Sequence, residues 1–558
     1  MSIANKVSVN THYTRSINIT RDADSASIVK SYIPTSRALK TLEQISESLS
    51  KGECPRSWSL VGPYGSGKSS FGIFLAHLLD KGAAGHNEAL NVLKSNSNEI
   101  SSSFDDFTSS NEGYATILIT GSPESLIKSI AKEIQRKAIN IWETRKGKKP
   151  KFIELLSSLI DTNEIKVSEL ISVIKDFQSA LKNIGYSGLL IVIDELGKFL
   201  EYEARHFENN DIFVLQSLAE EAYSDNEVKL GLVVMLHQSI EQYAKGLGES
   251  MRSEWAKIQG RFENIPFIDN SEQTLRVVSS AIEKDFTQDE AGIVGNKINS
   301  DIDTLLTCGA LPKTLKKDAA NELFYKCYPL HPVSALILPV LCQKVAQNER
   351  TLFSYLGSQE SHGFVDSLKA IESFPEQITP NEIFDYFIKN QSISTSDHYT
   401  YRRWAEVMTA IERLGDDDMD SLLLLKIIGL LNIIGGKGGL KASKEVLLTC
   451  VDQKTFDKSI KNLQSKSLIN FRSFNSEYRV WQGSDFDIEA EVENQINQLG
   501  QFSIADKLNN RHELLPVVAR KYSIENGALR YFEPVFISSS DYENLDKSER
   551  NPRIIFFL

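Results

Sequence analysis

The sequence predicts an α/β protein, a doubly wound parallel sheet followed by helical and mixed segments, and three observations carry that prediction. The first is a glycine-rich loop, Gly62 to Ser69, set between a short apolar strand and an apolar helix. The second is Gly188-Leu-Leu-Ile-Val-Ile193, a continuous β-branched run of the kind buried on both faces of a parallel sheet. The third is alternation. Strands expected at 58–61, 114–120, 188–193, 230–236 and 265–267 are separated by helical periodicity.

In chain order, residues 1–55 read as a polar arm and a helix, Ser36 to Leu49, leading into a core of 56–270. Within that core the loop strand is followed by a helix, Ser69 to Leu79, and Ser101 to Ser110 reads as a Ser/Asp-rich loop. Helical periodicity fills 124–184. From about 270 the strands are expected to stop, and 271–400 reads as a helical lid ending in a polar linker, Gln391 to Asp397. Segment 401–485 has three helices and then two short strands, Leu468 to Phe471 and Glu477 to Trp481, the outline of a winged helix. The remainder, 486–558, is mixed. Its apolar strand pattern from Arg553 to Leu558 suggests a truncated chain or a fragment of a longer one.

With 558 residues, about three or four domains are expected. A 41% hydrophobic, 24% charged composition is that of an ordinary globular protein, and a net charge of -12 excludes any global attraction to nucleic acid or anionic membrane. Any DNA contact needs a local basic patch. The five cysteines (Cys54, Cys308, Cys327, Cys342, Cys450) lie far apart with no CxxC pair, so reduced thiols are expected. The polar N-terminus has no signal-peptide pattern. The greasiest stretch, Leu422 to Ile434, carries Lys426 and Asn432 and is too short to span a bilayer. A soluble, cytoplasmic protein with no membrane partner is expected.

Gly62, Pro63, Tyr64, Gly65, Ser66, Gly67, Lys68 and Ser69 fit G-x(4)-G-K-[ST], with Ser70 following. Glycines let the backbone curl so that its N–H groups surround phosphate oxygens at a helix N-terminus. Lys68 would reach the β- and γ-phosphates, and Ser69 would hold Mg²⁺. The strand ending in Asp194-Glu195 puts two carboxylates at the sheet's carboxyl edge. Asp194 would order the Mg²⁺ shell, and Glu195 would accept a proton from the attacking water. A bland reading makes Asp194 a helix cap. Adjacent carboxylates favour an ATPase over a small-molecule kinase, and no N-K-x-D signature points to GTP.

His237 ends the next strand, which is expected to insert between the loop and acid strands; it could sense the γ-phosphate or simply cap the strand. Arg261 precedes the last strand and could reach a neighbouring subunit's nucleotide, or pair with Glu263; Arg252 is its alternative. Arg350, at a helix end, could fold over the nucleotide from the lid, or be satisfied by carbonyls. His331 reads as structural. Lys454, Lys458, Lys461 and Lys466 could meet phosphates or form a solvated face, with Asp452 and Asp457 interspersed.

Together SLVGPYGSGKSS, LLIVIDELGKFLE, VVMLHQS, KIQGRFENIPF, YPLHPVSALILPVL, QNERTLFSYL and YRVWQGSDFD resemble large bacterial P-loop ATPases of the AAA+ type found in phage-defence islands, including phage-exclusion systems. The motifs span about residues 57–487. The resemblance implies an AAA+ core, a helical lid and a winged helix, with ATP and Mg²⁺ bound through Lys68, Ser69, Asp194, Glu195, His237, Arg261 and Arg350. The resemblance implies a role in antiviral defence; the loop, the acid strand and the arginines make a homo-oligomer coupled to double-stranded DNA or defence-system proteins the leading expectation. Two features depart from the pattern: a long insertion between loop and acid strand, and no recognisable effector after 488. A nucleotide-gated switch and an assembly scaffold with little turnover stay open beside hydrolysis.

Overall fold

The computed structural model describes residues 3–10, 17–52, 54–63, 65–143, 145, 149–162, 165–205, 212–244, 249–268, 271–312, 314–345, 352–371, 373–390, 398–415, 418–435, 439–481, 503–511, 514–538, 542 and 552–558. The chain divides into two units, Met1–Gln482 and Gly483–Leu558.

A short strand, β1 (Val7–Val9), opens the first unit. The central sheet follows with β2 (Ser57–Val61), β3 (Tyr114–Thr120), β4 (Gly188–Asp194), β5 (Lys229–Leu236) and β6 (Glu263–Pro266), in the order β3-β4-β5-β2-β6. Every neighbouring pair is parallel, so all five carboxyl ends share one edge. β5 lies between the loop strand and the acid strand, as the sequence led us to expect.

Strand side chains alternate between faces, and the two faces supply two cores. Leu189, Ile191 and Ile193 of β4 join Ile117, Leu232 and Val234 beneath the helices Leu126–Glu143, Val167–Lys182 and Phe213–Tyr223. Leu190 and Val192 join Trp58, Leu60, Val233 and Met235 beneath the helices Ser36–Ser50 and Lys68–Leu79. β4 is buried at every position, which is why its sequence shows no polar alternation.

The expected loop at 101–110 is instead part of a helix, Asn98–Ser109. Ser97 caps it, and Ile100, Phe104 and Thr108 bury one face at spacings of four. Its serines are accommodated by bonding back one turn, Ser102 Oγ donating to the Asn98 carbonyl at 2.9 Å and Ser103 Oγ to that of Glu99 at 3.2 Å. Composition suggested a loop, and the buried apolar stripe decided for a helix.

The expectation that strands stop at 270 also needs correction. A short strand, β7 (Ile282–Lys284), pairs antiparallel with β1, Val7 opposite Lys284 and Val9 opposite Ile282. Three residues are too few to show a period in sequence. Ile3 and Val7 consequently pack into the helical region rather than against the central sheet.

That helical region holds one continuous core from Leu275 to Val480. Phe384 stacks on Trp404 with ring centres 5.5 Å apart, so the helices Pro380–Asn390 and His398–Leu414 share their packing. The greasy helix Met419–Ile434 is buried along most of its length and ends at Gly435, whose φ of 78° suits a left-handed cap. The two polar residues within its greasy stretch, Lys426 and Asn432, are satisfied. Lys426 pairs with Asp385 at 2.7 Å, and Asn432 brackets the following hairpin through the Tyr478 carbonyl and Val480 N–H. Helices Lys444–Cys450 and Gln453–Ser465 come next, then the antiparallel strands β8 (Ile469–Arg472) and β9 (Glu477–Val480).

In the second unit, β10 (Val517–Val518), β11 (Tyr531–Ile537) and β12 (Arg553–Phe557) form a sheet in that order, β11 and β12 running parallel. Asn509, on the helix Ile504–Arg511, exchanges two hydrogen bonds with the Phe536 backbone. Among the described residues no helix is long and apolar enough to cross a membrane.

Candidate functional site

The site is built where β2 meets its helix. The Gly62 N–H donates to the Leu236 carbonyl at 3.0 Å, and the Phe267 N–H to that of Val61 at 2.7 Å, which splices the loop entrance into its neighbours. A Cβ on Gly62 would stand 2.2 Å from the Phe267 carbonyl oxygen, so only glycine fits. Gly65 and Gly67 have φ of 72° and 83°, the left-handed conformation that turns backbone N–H groups inward. The loop then enters the helix Lys68–Leu79, whose N-terminus has no side-chain cap. That is an anion-binding geometry: a helix N-terminus fronted by a curled loop. Ser66 N–H bonds to the Pro63 carbonyl at 3.3 Å and tightens the curl. Tyr64 lies outside the described residues.

Lys68 is 5% exposed, its ammonium donating to the carbonyls of Gly62 at 2.6 Å and Pro63 at 2.9 Å and to Ser66 Oγ at 3.2 Å. Burial pushes its pKa down to about 8, against the pull of Asp194 and Glu195. Polyphosphate would favour the charged form, so bound Lys68 should titrate above free Lys68. Affinity for a triphosphate is therefore full below about pH 8 and falls as pH rises through it. Titration of a fluorescent ATP analogue between about pH 7 and 9.5 checks this, and a flat profile would contradict it.

Asp194, the last residue of β4, is buried, and burial raises its pKa while the nearby Ser69 hydroxyl opposes the rise. Loop helix and acid strand therefore touch directly. The Glu195 N–H also donates to Asp194 Oδ1 at 2.9 Å. Glu195 has φ 49° and ψ 42°, a left-handed turn that starts the helix Leu196–Glu203. Its carboxylate forms an ion pair with Lys198 at 2.6 Å.

Gly121, at the exit of β3, holds this turn in place. Its N–H donates to the Asp194 carbonyl at 2.8 Å, and a Cβ there would stand 2.1 Å from the Glu195 carbonyl oxygen. Gly121→Ala must push the Glu195 backbone aside. Turnover should drop about 10²-fold, the cost of misplacing a reacting group by about 1 Å, with the melting temperature as the control for global unfolding.

His237 follows β5 directly. Burial, and next the nearby Lys68, lower its pKa to about 4, while the neighbouring Gly62 backbone favours the charged form. The ring is neutral at pH 7. Lys68, Ser69, Asp194, Glu195 and His237 thus gather at one sheet edge, with Ser70 in the first turn of the loop helix.

Arg261 is not among them. Its carbonyl accepts from Ser57 Oγ at 2.7 Å, and Ser57 is the first residue of β2, at the amino edge opposite the loop. Its guanidinium pairs with Glu220 at 3.2 Å, rather than with Glu263, and is half exposed. Arg252 lies on the helix Glu249–Gln259. Arg350 lies outside the described residues. His331 is buried, its Nε2 within 2.9 Å of the Thr449 carbonyl and its Nδ1 accepting from the Val333 N–H at 3.1 Å, a packing role.

Three contributors escaped sequence reasoning. Lys198 had a signal, three residues after Glu195 at the start of an expected helix. Gly121 had only its place at a strand end. The N-terminal arm had none: Thr20 Oγ1 lies 2.9 Å from Thr120 Oγ1, and Thr120 registers opposite Asp194.

Ser69 and Asp194 present a hydroxyl and a carboxylate together, hard oxygen donors that suit Mg²⁺, which takes one or two protein ligands and completes its shell with phosphate and water. No group of three or more His, Cys, Asp or Glu side chains able to hold a metal occurs among the described residues.

No protein-family model matches the chain, and no curated protein matches it significantly. Among solved structures it is similar to the Aeropyrum pernix ORC2 protein in its ADPNP-ADP complexes, at 12% identity and a TM-score of 0.31, covering 84% of this chain and 97% of that one. The ADP form of the same protein gives 12%, 0.30, 85% and 95%. Likeness at this level carries no weight here. The P-loop α/β fold rests on the strand order and the loop geometry.

Proposed function

We propose that this chain binds ATP with Mg²⁺ and hydrolyses it. The observation that carries the reading is the Ser69 hydroxyl set beside the Asp194 carboxylate, which joins the phosphate loop to the acid strand with Glu195 next in the chain. The loop N–H groups and Lys68 would bind the phosphates, while Ser69 and Asp194 would hold the ion, which supplies charge neutralisation on the phosphate oxygens when bound. Glu195 accepts the proton of the attacking water, and His237, neutral at pH 7, orients that water or the γ-phosphate by hydrogen bonding.

Arg261, half exposed at the amino edge, acts in this reading on the site of a neighbouring copy, so the working form is a homo-oligomer. Arg350 closes the site from the lid. The segment 401–485 serves as a winged helix that meets double-stranded DNA. Its lysines Lys454, Lys458, Lys461 and Lys466 are exposed, and Phe474 stands 75% exposed at the turn of the β8–β9 hairpin. Lys458 also pairs with Asp420 at 3.2 Å, the contact a solvated face would make. In this reading the protein acts in anti-phage defence in the cytoplasm with defence-system proteins as partners, the defence context being what the sequence resemblance supports.

The test is Mg²⁺-dependent ATP turnover by the purified chain, with and without double-stranded DNA. Turnover accelerated by DNA supports coupling to nucleic acid. Slow turnover that answers only to a protein trigger supports the nucleotide-gated switch instead, and no turnover removes the hydrolysis reading.

A further inference from the structure

We propose that Lys198 restrains Glu195 as a positioning residue, its ion pair engaging the carboxylate that must accept the water's proton until the pair opens. The inference rests on the hydrolysis reading above. Lys198 Nζ lies 2.6 Å from Glu195 Oε2, with the two side chains 47% and 27% exposed. A carboxylate is a pure acceptor, and an ammonium on one of its oxygens competes with the proton it would otherwise take.

The Glu195 backbone cannot answer by moving. Gly121 closes on its carbonyl, and Asp194 holds its N–H. Release therefore belongs to the side chains. Lys198 is also close enough to His237 to disfavour that ring's charged form, so the ammonium lies near both groups that would handle the water.

The helical turn carrying Lys198 is packed on the chain leaving β5. A Cβ on Gly197 would stand 2.3 Å from the Tyr243 hydroxyl, and Tyr243 ends the short helix Ile240–Tyr243 that follows His237. A shift of the 237–243 segment would thus be felt at Lys198, which gives the restraint a handle within the site. A pair this exposed is weak.

The experiment measures steady-state Mg·ATP turnover of the full chain as wild type, Lys198→Met, Lys198→Arg, and Lys198→Met combined with Glu195→Gln. Expected are a two- to fivefold rise in kcat for Lys198→Met, the scale of an exposed ion pair, with KM for ATP unchanged. Lys198→Arg, which keeps the charge, shows less than half of that rise. The rise vanishes in the Glu195→Gln background. An unchanged or lowered kcat in Lys198→Met, or a rise that survives without Glu195, overturns the restraint. Wild type and Lys198→Met both without turnover overturn the hydrolysis reading and the restraint with it. Turnover confined to Lys198→Met supports both.

Discussion

Glu195→Gln lowers kcat for ATP about 10²–10⁴-fold while leaving nucleotide affinity within a few-fold, the contribution of a positioned general base. The substitution keeps side-chain length, removes the ability to take a proton and reduces the Lys198 ion pair to a hydrogen bond with a neutral amide. Nothing else in the turn needs to change. The bond from the residue 195 N–H to Asp194 Oδ1 is a backbone contact, and Gln meets the same left-handed φ of 49° that Glu does. Ser69 and Asp194 are untouched, so in the proposed site the ion and the phosphates would bind as before. Phosphate release assayed beside calorimetric ATP binding separates the two effects. Loss of binding in step with turnover would mean that Glu195 holds the ligand rather than the water.

Lys68→Ala weakens ATP binding about 10²–10³-fold, the scale of losing one preorganised charged donor to a phosphoryl group. Affinity for AMP should change little, because in the proposed site Lys68 would reach the β- and γ-phosphates and not the first. The variant also removes the positive charge beside the buried Asp194 and beside Glu195, and it leaves the Gly62 and Pro63 carbonyls without their donor. Some thermal destabilisation should accompany the loss of affinity. Displacement titrations with ATP and AMP provide the comparison. Equal losses for the two would point to a collapsed loop rather than a missing phosphate contact.

The central sheet was legible because its strands are pure. β4 is buried at every position, and continuous β-branched runs leave no competing reading. The glycines of the loop were legible for a related reason: positive φ at Gly65 and Gly67 and the close approach at Gly62 each demand the residue found. What composition alone suggested was less secure. Ser101 to Ser110 has the residues of a loop, but Ile100, Phe104 and Thr108 recur at the spacing of a buried helix face. β7 is three residues long and owes its pairing to β1, some 270 residues away, a partnership that no local pattern could announce.

The site divides in the same way. Asp194 and Glu195 are named by the strand that carries them. Thr20 reaches Thr120 only through the path of the arm, and Gly121 matters only because of what its missing Cβ admits. Arg261 shows the limit most clearly. Its place just before a strand was readable, but only strand direction shows that this puts it at the amino edge, beside Ser57 and paired with Glu220. The helices Pro380–Asn390 and His398–Leu414 show it too, since a polar linker in sequence does not reveal that Phe384 and Trp404 stack across it.

The central claim is that phosphate loop, acid strand and Glu195 form one hydrolytic site. Its most direct test is phosphate release in a single turnover, starting from ATP already bound to the chain and initiated with Mg²⁺. The account predicts release by the wild type that stops when the ion is chelated, and release slowed about 10²-fold or more in Glu195→Gln with the same amount of ATP bound. Release from Glu195→Gln at the wild-type rate, or release that proceeds without Mg²⁺, would contradict it.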